Sequence, residues 1–96
     1  MKREQIAKNI VADLKELAAL TSDADGAQRI AWTPTFKKAT EWFAQKMQAA
    51  GAEVWTDAAG NSWAKFAGDS EECIVIGSHL DSVPDGGWLD GALGVV

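Results

Sequence analysis

From Lys2 to Leu20 the apolar residues Ile6, Ile10, Leu14 and Leu17 recur at spacings of four, four and three, with Lys8, Asp13, Lys15 and Glu16 between them. That period predicts one amphipathic helix with a single buried stripe. Thr21 to Gly26 is short, polar and glycine-terminated, and reads as a surface loop that stops the helix. Thr33-Pro34 opens a second helix, because a threonine hydroxyl can cap free amide groups and proline suits the first helical position. Phe36, Ala39, Phe43, Met47 and Ala50 then line one face, and Gly51 supplies a left-handed cap, so this helix is expected from Pro34 to Ala50.

Two strand-like runs follow, Ala52 to Thr56 and Ser62 to Ala67, separated by the turn residues Asp57-Ala58-Ala59-Gly60-Asn61. A β-hairpin is the simplest connection between them. Cys73-Ile74-Val75-Ile76 has no polar alternation, the pattern of a strand buried on both faces of a helix-covered sheet. The small-residue segment from Asp90 to Val96 reads as the start of a third helix. Two helices, a hairpin, a buried strand and a helix start make an α/β layered domain.

Composition narrows the partners. A chain of 96 residues is at most one small domain, burying about 60–65% of the surface it exposes unfolded. The net charge of −5 lacks the basic stripe that nucleic acid requires. The tryptophans, Trp32, Trp42, Trp55, Trp63 and Trp88, are scattered rather than interleaved with basic residues, as expected of packing side chains rather than a base-stacking platform. Cys73 is the only cysteine, so no intrachain disulfide forms. No apolar run approaches the ~20 residues that span a bilayer, and no secretory signal is visible. A cytoplasmic protein without membrane or nucleic-acid partners is the expectation.

The chemistry gathers after the buried run, in Gly77-Ser78-His79-Leu80-Asp81 and onward to Asp90. Functional groups of open α/β sheets lie beyond the carboxyl ends of strands, and His79, the only histidine, sits three residues past Ile76. Imidazole and carboxylate suit zinc and similar divalent ions, which makes His79 and Asp90 a candidate ligand pair. Asp81 is close enough to hold the imidazole nitrogen that faces away from a metal. Gly86-Gly87 lets the loop return so that Asp90 reaches the same point, and Asp85 reads as turn chemistry. The plain alternative is a turn histidine bonded to a neighbouring aspartate. Asp23-Ala24-Asp25-Gly26 begins like a calcium loop, but the position of the closing glutamate holds Pro34. Neither a dinucleotide nor a phosphate-loop glycine motif is present.

Gly77-Ser78-His79-Leu80-Asp81-Ser82-Val83, Gly86-Gly87 and Leu89-Asp90-Gly91-Ala92-Leu93-Gly94-Val95 closely resemble the first metal-binding motif of the allantoate amidohydrolase and N-carbamoyl-L-amino-acid hydrolase family. That family is a branch of the zinc aminopeptidase, aminoacylase and carboxypeptidase superfamily. Asp57 to Asn61 and Arg29-Ile30-Ala31-Trp32-Thr33 are similar to it too, so the resemblance covers nearly the whole chain. It implies that His79 binds one of two divalent metal ions, zinc first with manganese, cobalt or nickel as alternatives. It implies that Asp90 bridges both, and that Asp81 orients His79 and is the residue usually assigned as catalytic. In such enzymes two metals activate water against an amide or ureido carbonyl and stabilise the oxyanion. The substrate would be a small N-carbamoyl, ureido or amide compound, and the protein a homodimer.

The resemblance further implies that residues 1–96 are an incomplete N-terminal part of the catalytic domain, with the general base, the other ligands and the dimerisation domain lying beyond them. Ureido compounds, peptides and acylated amino acids all remain open as substrates. A non-catalytic unit that buries an exposed sheet edge against another copy is the rival reading. Because superfamily relatives often hold a cis peptide after the bridging aspartate, Asp90-Gly91 is expected to be cis.

Overall fold

Residues 2–96 are described by a computed structural model with the order α1 (Arg3–Thr21), β1 (Ser22–Asp23), β2 (Gly26–Ala27), α2 (Pro34–Ala49), β3 (Glu53–Thr56), β4 (Ser62–Lys65) and α3 (Ala92–Val95). The architecture is mixed α/β, with helices and two small antiparallel sheets, as the sequence patterns require. Two compact units are distinguished: one contains the residues up to Ala39 together with Gly77–Val96, the other Thr40–Ile76.

In the first unit the apolar stripe of α1 is buried only along its C-terminal half. Leu14 and Leu17 are 3% and 1% exposed, whereas Ile6 is 43% exposed. Full burial of a leucine contributes about 1.5–3 kcal/mol, so the helix is anchored by its last two turns. The Thr21 hydroxyl donates to the Leu17 carbonyl at 2.7 Å there. Beyond it, the stretch expected as a plain loop forms the hairpin β1–β2, with Ser22 opposite Ala27 and Asp23 opposite Gly26. The turn residues were legible in the sequence; strands of two residues offer no periodicity to read.

The caps of α2 follow the expected chemistry. The Thr33 hydroxyl accepts a hydrogen bond from the Phe36 amide at 3.3 Å, which satisfies one free N–H of the first turn. At the other end Gly51 adopts φ 96°, and Gly51 and Ala52 donate to the carbonyls of Gln48 and Met47. This paired closure is the Schellman arrangement. Ala39 and Trp42 are the buried residues of α2, while Phe43 and Met47 are half-buried and Ala50 is exposed. The inner face is therefore turned toward Trp42, the bulkiest apolar side chain nearby, relative to the stripe expected from spacing.

In the second unit β3 and β4 pair antiparallel and set Trp55 directly opposite Trp63. Their rings stack at 6.0 Å with planes 6° apart. The Asp57 carboxylate organises the connection: Oδ1 accepts from the Ala59 and Asn61 amides, and Oδ2 from the Asn61 side chain and from Trp63 Nε1 at 2.8 Å. These donors hold the Asp57 carboxyl down at about 2, the Trp63 indole first among them.

One expected element does not form. Cys73 to Ile76 is not a strand, and Ile74, Val75 and Ile76 are 94%, 70% and 90% exposed. A strand of this type needs partners on both sides to satisfy its backbone, and no strand among the described residues pairs with it. The hydrophobic run was read correctly as a sequence pattern, but a pattern cannot supply its neighbours.

Candidate metal centre

Arg29 is the framework of the region around His79. Ala27 and Gly86 exchange two backbone hydrogen bonds at 2.8 and 3.0 Å. Two residues further on, the Ser82 amide donates to the Arg29 carbonyl at 2.8 Å, and the Arg29 amide donates to Ser82 Oγ at 3.0 Å. The Arg29 side chain continues along the same segment, with Nε donating to the Leu80 carbonyl at 2.6 Å and Nη2 to the Asp90 carbonyl at 3.5 Å. Arg29 has 0% of its surface exposed, and Leu80 and Ser82 are buried with it. Burial pushes the guanidinium pKa down, and the charges of Asp81 and Asp90 push it back up. Its remaining nitrogen, Nη1, is buried without a hydrogen-bond partner.

His79 stands on this framework with its imidazole about half-exposed. Nδ1 lies 3.1 Å from both the carbonyl oxygen and Oδ1 of Asp81. A carbonyl oxygen can only accept, so Nδ1 carries the proton and, in the neutral ring, Nε2 keeps its lone pair. The ring rests against Gly91: a Cβ built there would fall 2.6 Å from both Nδ1 and Cε1. Ser78 Oγ donates to the Gly91 carbonyl at 2.8 Å, closing the contact from the other side. The structure thus joins His79 to Asp81 directly and brings the backbone of Asp90, the residue before Gly91, alongside them. Asp90 itself is exposed.

An imidazole with one nitrogen anchored and the other free, together with the exposed carboxylate of Asp90, whose backbone lies alongside, is a donor set whose chemistry fits a divalent ion. His79 and Asp90 are the residues that would hold it. Among the described residues they are not joined by a third ligand: the group whose donor atoms all lie within 4.8 Å of one another is Asp23, Asp25 and Asp85. That exposed cluster is explained by hydrogen bonding. The Asp25 amide donates to Asp23 Oδ1 at 2.9 Å, and the Gln28 side-chain amide donates to both oxygens of Asp23 and to Oδ1 of Asp85.

Two expectations are corrected here. No peptide bond among the described residues is cis, so Asp90-Gly91 is trans. Gly91 makes the turn instead with φ 70°, open to glycine without the roughly 2.5–4 kcal/mol that a cis bond costs. The turn chemistry expected at Asp85 is present: its φ is 54°, which aspartate tolerates, the Asp85 amide donates to Gln28 Oε1, and a Cβ at Gly86 next to it would fall 2.8 Å from the Val83 carbonyl oxygen. Finally, His79 does not lie at the end of a strand, since Cys73 to Ile76 forms none. Its position is fixed by the segment from Ala27 to Arg29.

Arg29 is the residue that spacing arguments missed. It is separated from Leu80 by 51 positions, and no local pattern reports such a contact. The available signal was an arginine leading an apolar Ile30-Ala31-Trp32 run, inside a stretch already similar to the family.

No protein-family profile and no solved structure matches the chain. Curated sequences do. The chain is 37% identical over 92 residues to an N-carbamoyl-L-amino-acid amidohydrolase from Paenarthrobacter aurescens, which covers 94% of the chain and 22% of that protein. It is 40% identical over 89 residues to allantoate deiminase 1 from Glycine max, covering 90% of the chain and 18% of the relative. An allantoate amidohydrolase from Bacillus subtilis is 35% identical over 99 residues, covering 99% of the chain and 24% of its own length. These relatives are hydrolases of one kind, amidohydrolases and deiminases of small nitrogen compounds by name. The chain belongs to their family, that of the allantoate amidohydrolases and N-carbamoyl-L-amino-acid amidohydrolases. It spans about a fifth of the length of the relatives it matches.

Proposed function

We propose that this chain is the part of a metal-dependent amidohydrolase that carries His79, Asp81 and Asp90 of a two-metal centre, within an incomplete catalytic domain. The observation that carries the reading is the His79–Asp81 pair, in which Nδ1 is anchored and Nε2 is left as a free lone pair. In this reading His79 Nε2 and the Asp90 carboxylate are ligands. Asp81 keeps the Nδ1 proton in place, which fixes the tautomer and raises the basicity of Nε2. The chemistry that the metal pair supplies when bound is polarisation of the scissile carbonyl and activation of water.

The substrates follow the relatives' names: an N-carbamoyl amino acid, allantoate or a related ureido or amide compound, hydrolysed at its C–N bond. Zinc is the first choice of metal because it accepts nitrogen and oxygen donors without geometric demands of its own. The protein is proposed to be a cytoplasmic homodimer.

The test is hydrolysis of N-carbamoyl amino acids and allantoate by the complete protein carrying this chain, before and after chelation. His79→Ala is expected to remove most bound metal and to lower kcat/KM by at least about 100-fold. Turnover near the unsubstituted rate, with full metal content, would defeat the assignment.

A further inference from the structure

Among the described residues Arg29 is the only charged side chain that is buried. A buried charge is costly unless its surroundings answer it. Every group that answers the guanidinium belongs to the segment from Leu80 to Asp90: the Leu80 carbonyl, the Asp90 carbonyl, and the charges of Asp81 and Asp90; Ser82 bonds only the backbone of Arg29.

The two carbonyls held by the guanidinium are not arbitrary. The Leu80 carbonyl belongs to the peptide that links Leu80 to Asp81, and its plane sets how Asp81 faces the His79 ring two positions earlier. The Asp90 carbonyl belongs to the peptide that enters Gly91, on which the ring rests. One rigid planar fork thereby ties down the peptides that lead into Asp81 and Gly91, the two residues the imidazole touches. A lysine offers a point charge on a flexible stem and cannot hold two acceptors in fixed relation.

We infer that Arg29 is a positioning residue of the metal centre: its buried guanidinium, bound to the Leu80 and Asp90 carbonyls, sets the tautomer-fixing contact of His79 with Asp81 and the separation of His79 from Asp90. This inference rests on the metal-centre reading above.

The experiment compares the unsubstituted complete protein with Arg29→Lys, Arg29→Met, Ser82→Ala and His79→Ala. The readouts are the zinc dissociation constant by calorimetry, the side-chain nitrogen resonances of His79 in the metal-free protein, and far-ultraviolet circular dichroism. Arg29→Lys is expected to keep the helical spectrum, to lose the single Nδ1–H signature of His79, and to weaken zinc binding by about 10–100-fold. Ser82→Ala, which loosens the same strand of contacts without touching the guanidinium, is expected to lower the melting temperature while zinc affinity and the His79 resonances stay unchanged.

A folded Arg29→Lys or Arg29→Met protein with unchanged His79 resonances and unchanged zinc affinity overturns the inference. So does Ser82→Ala reproducing the loss. If both Arg29 variants fail to fold, the Arg29 Nε–H resonance of the unsubstituted protein decides: it is expected to exchange slowly and to shift on zinc addition, and rapid exchange or indifference to zinc overturns the inference. Absence of zinc binding by the unsubstituted protein, or binding that survives His79→Ala, defeats the metal-centre reading itself. Binding that is lost in His79→Ala but untouched in Arg29→Lys defeats only the role of Arg29.

Discussion

A methyl group on Gly91 would collide with the His79 carbonyl oxygen and lie 2.6 Å from two atoms of its ring, in a backbone with φ 70°. With ψ −48° and the Ala92 amide on the Asp90 carbonyl this is a γ-turn, a conformation that strains a non-glycine residue by about 1–3 kcal/mol, and the contact with a main-chain oxygen cannot be relieved by rotating a side chain. Gly91→Ala is therefore expected to lower the melting temperature by several degrees. It should also break the His79–Asp81 hydrogen bond, seen as a mixture of imidazole tautomers in nitrogen resonances. A variant that kept both the stability and the single tautomer would show that the ring does not depend on this contact. Beside Gly91, Arg29 shows how a residue remote in sequence becomes decisive: its partners are chosen by the folding of residues 80 to 90 and not by its neighbours.

The hairpin β3–β4 illustrates an element whose connection is as informative as its strands. Four donors converge on the Asp57 carboxylate, two of them side chains, and Trp63 reaches it while stacking on Trp55 across the pair. Because the folded pKa, about 2, lies below the ordinary value near 3.9, the ionised carboxylate stabilises the hairpin above the ordinary value. That contribution fades as pH falls from about 4 toward 2. The Trp63 indole N–H resonance is expected to titrate with a midpoint near the lower figure. A midpoint close to 4 would mean that the carboxylate is not held by the loop. The contrast is Cys73 to Ile76, where a stronger β signature yields no strand, because strand formation depends on partners as well as on composition.

Taken as a chain, residues 2–96 divide so that the candidate centre lies wholly in the unit built from both ends. Hydrogen bonds joining Ala27, Gln28 and Arg29 to residues 80 to 90 span more than 50 positions, and they hold that unit together. The two proposed ligands, His79 and Asp90, are fewer than the three protein donors a catalytic zinc requires. The chain by itself is thus expected to bind zinc weakly. Calorimetry showing tight one-to-one binding would mean that a further ligand among these residues had been overlooked.

The sequence by itself determined both long helices, the capping residues of the second, the β3–β4 hairpin and its turn, and the family, because each is written in short-range periodicity, in cap and turn chemistry, or in contiguous motif residues. It also put His79 and Asp81 within reach of one another, since two positions in an extended turn suffice. Only the tertiary structure decided that Trp42 faces inward, that Ile74 to Ile76 remain exposed, and that Arg29 underlies the site. Each of those outcomes depends on which distant groups share a volume, through burial, backbone pairing and the neutralisation of a buried charge, and no local pattern of residue types encodes that proximity.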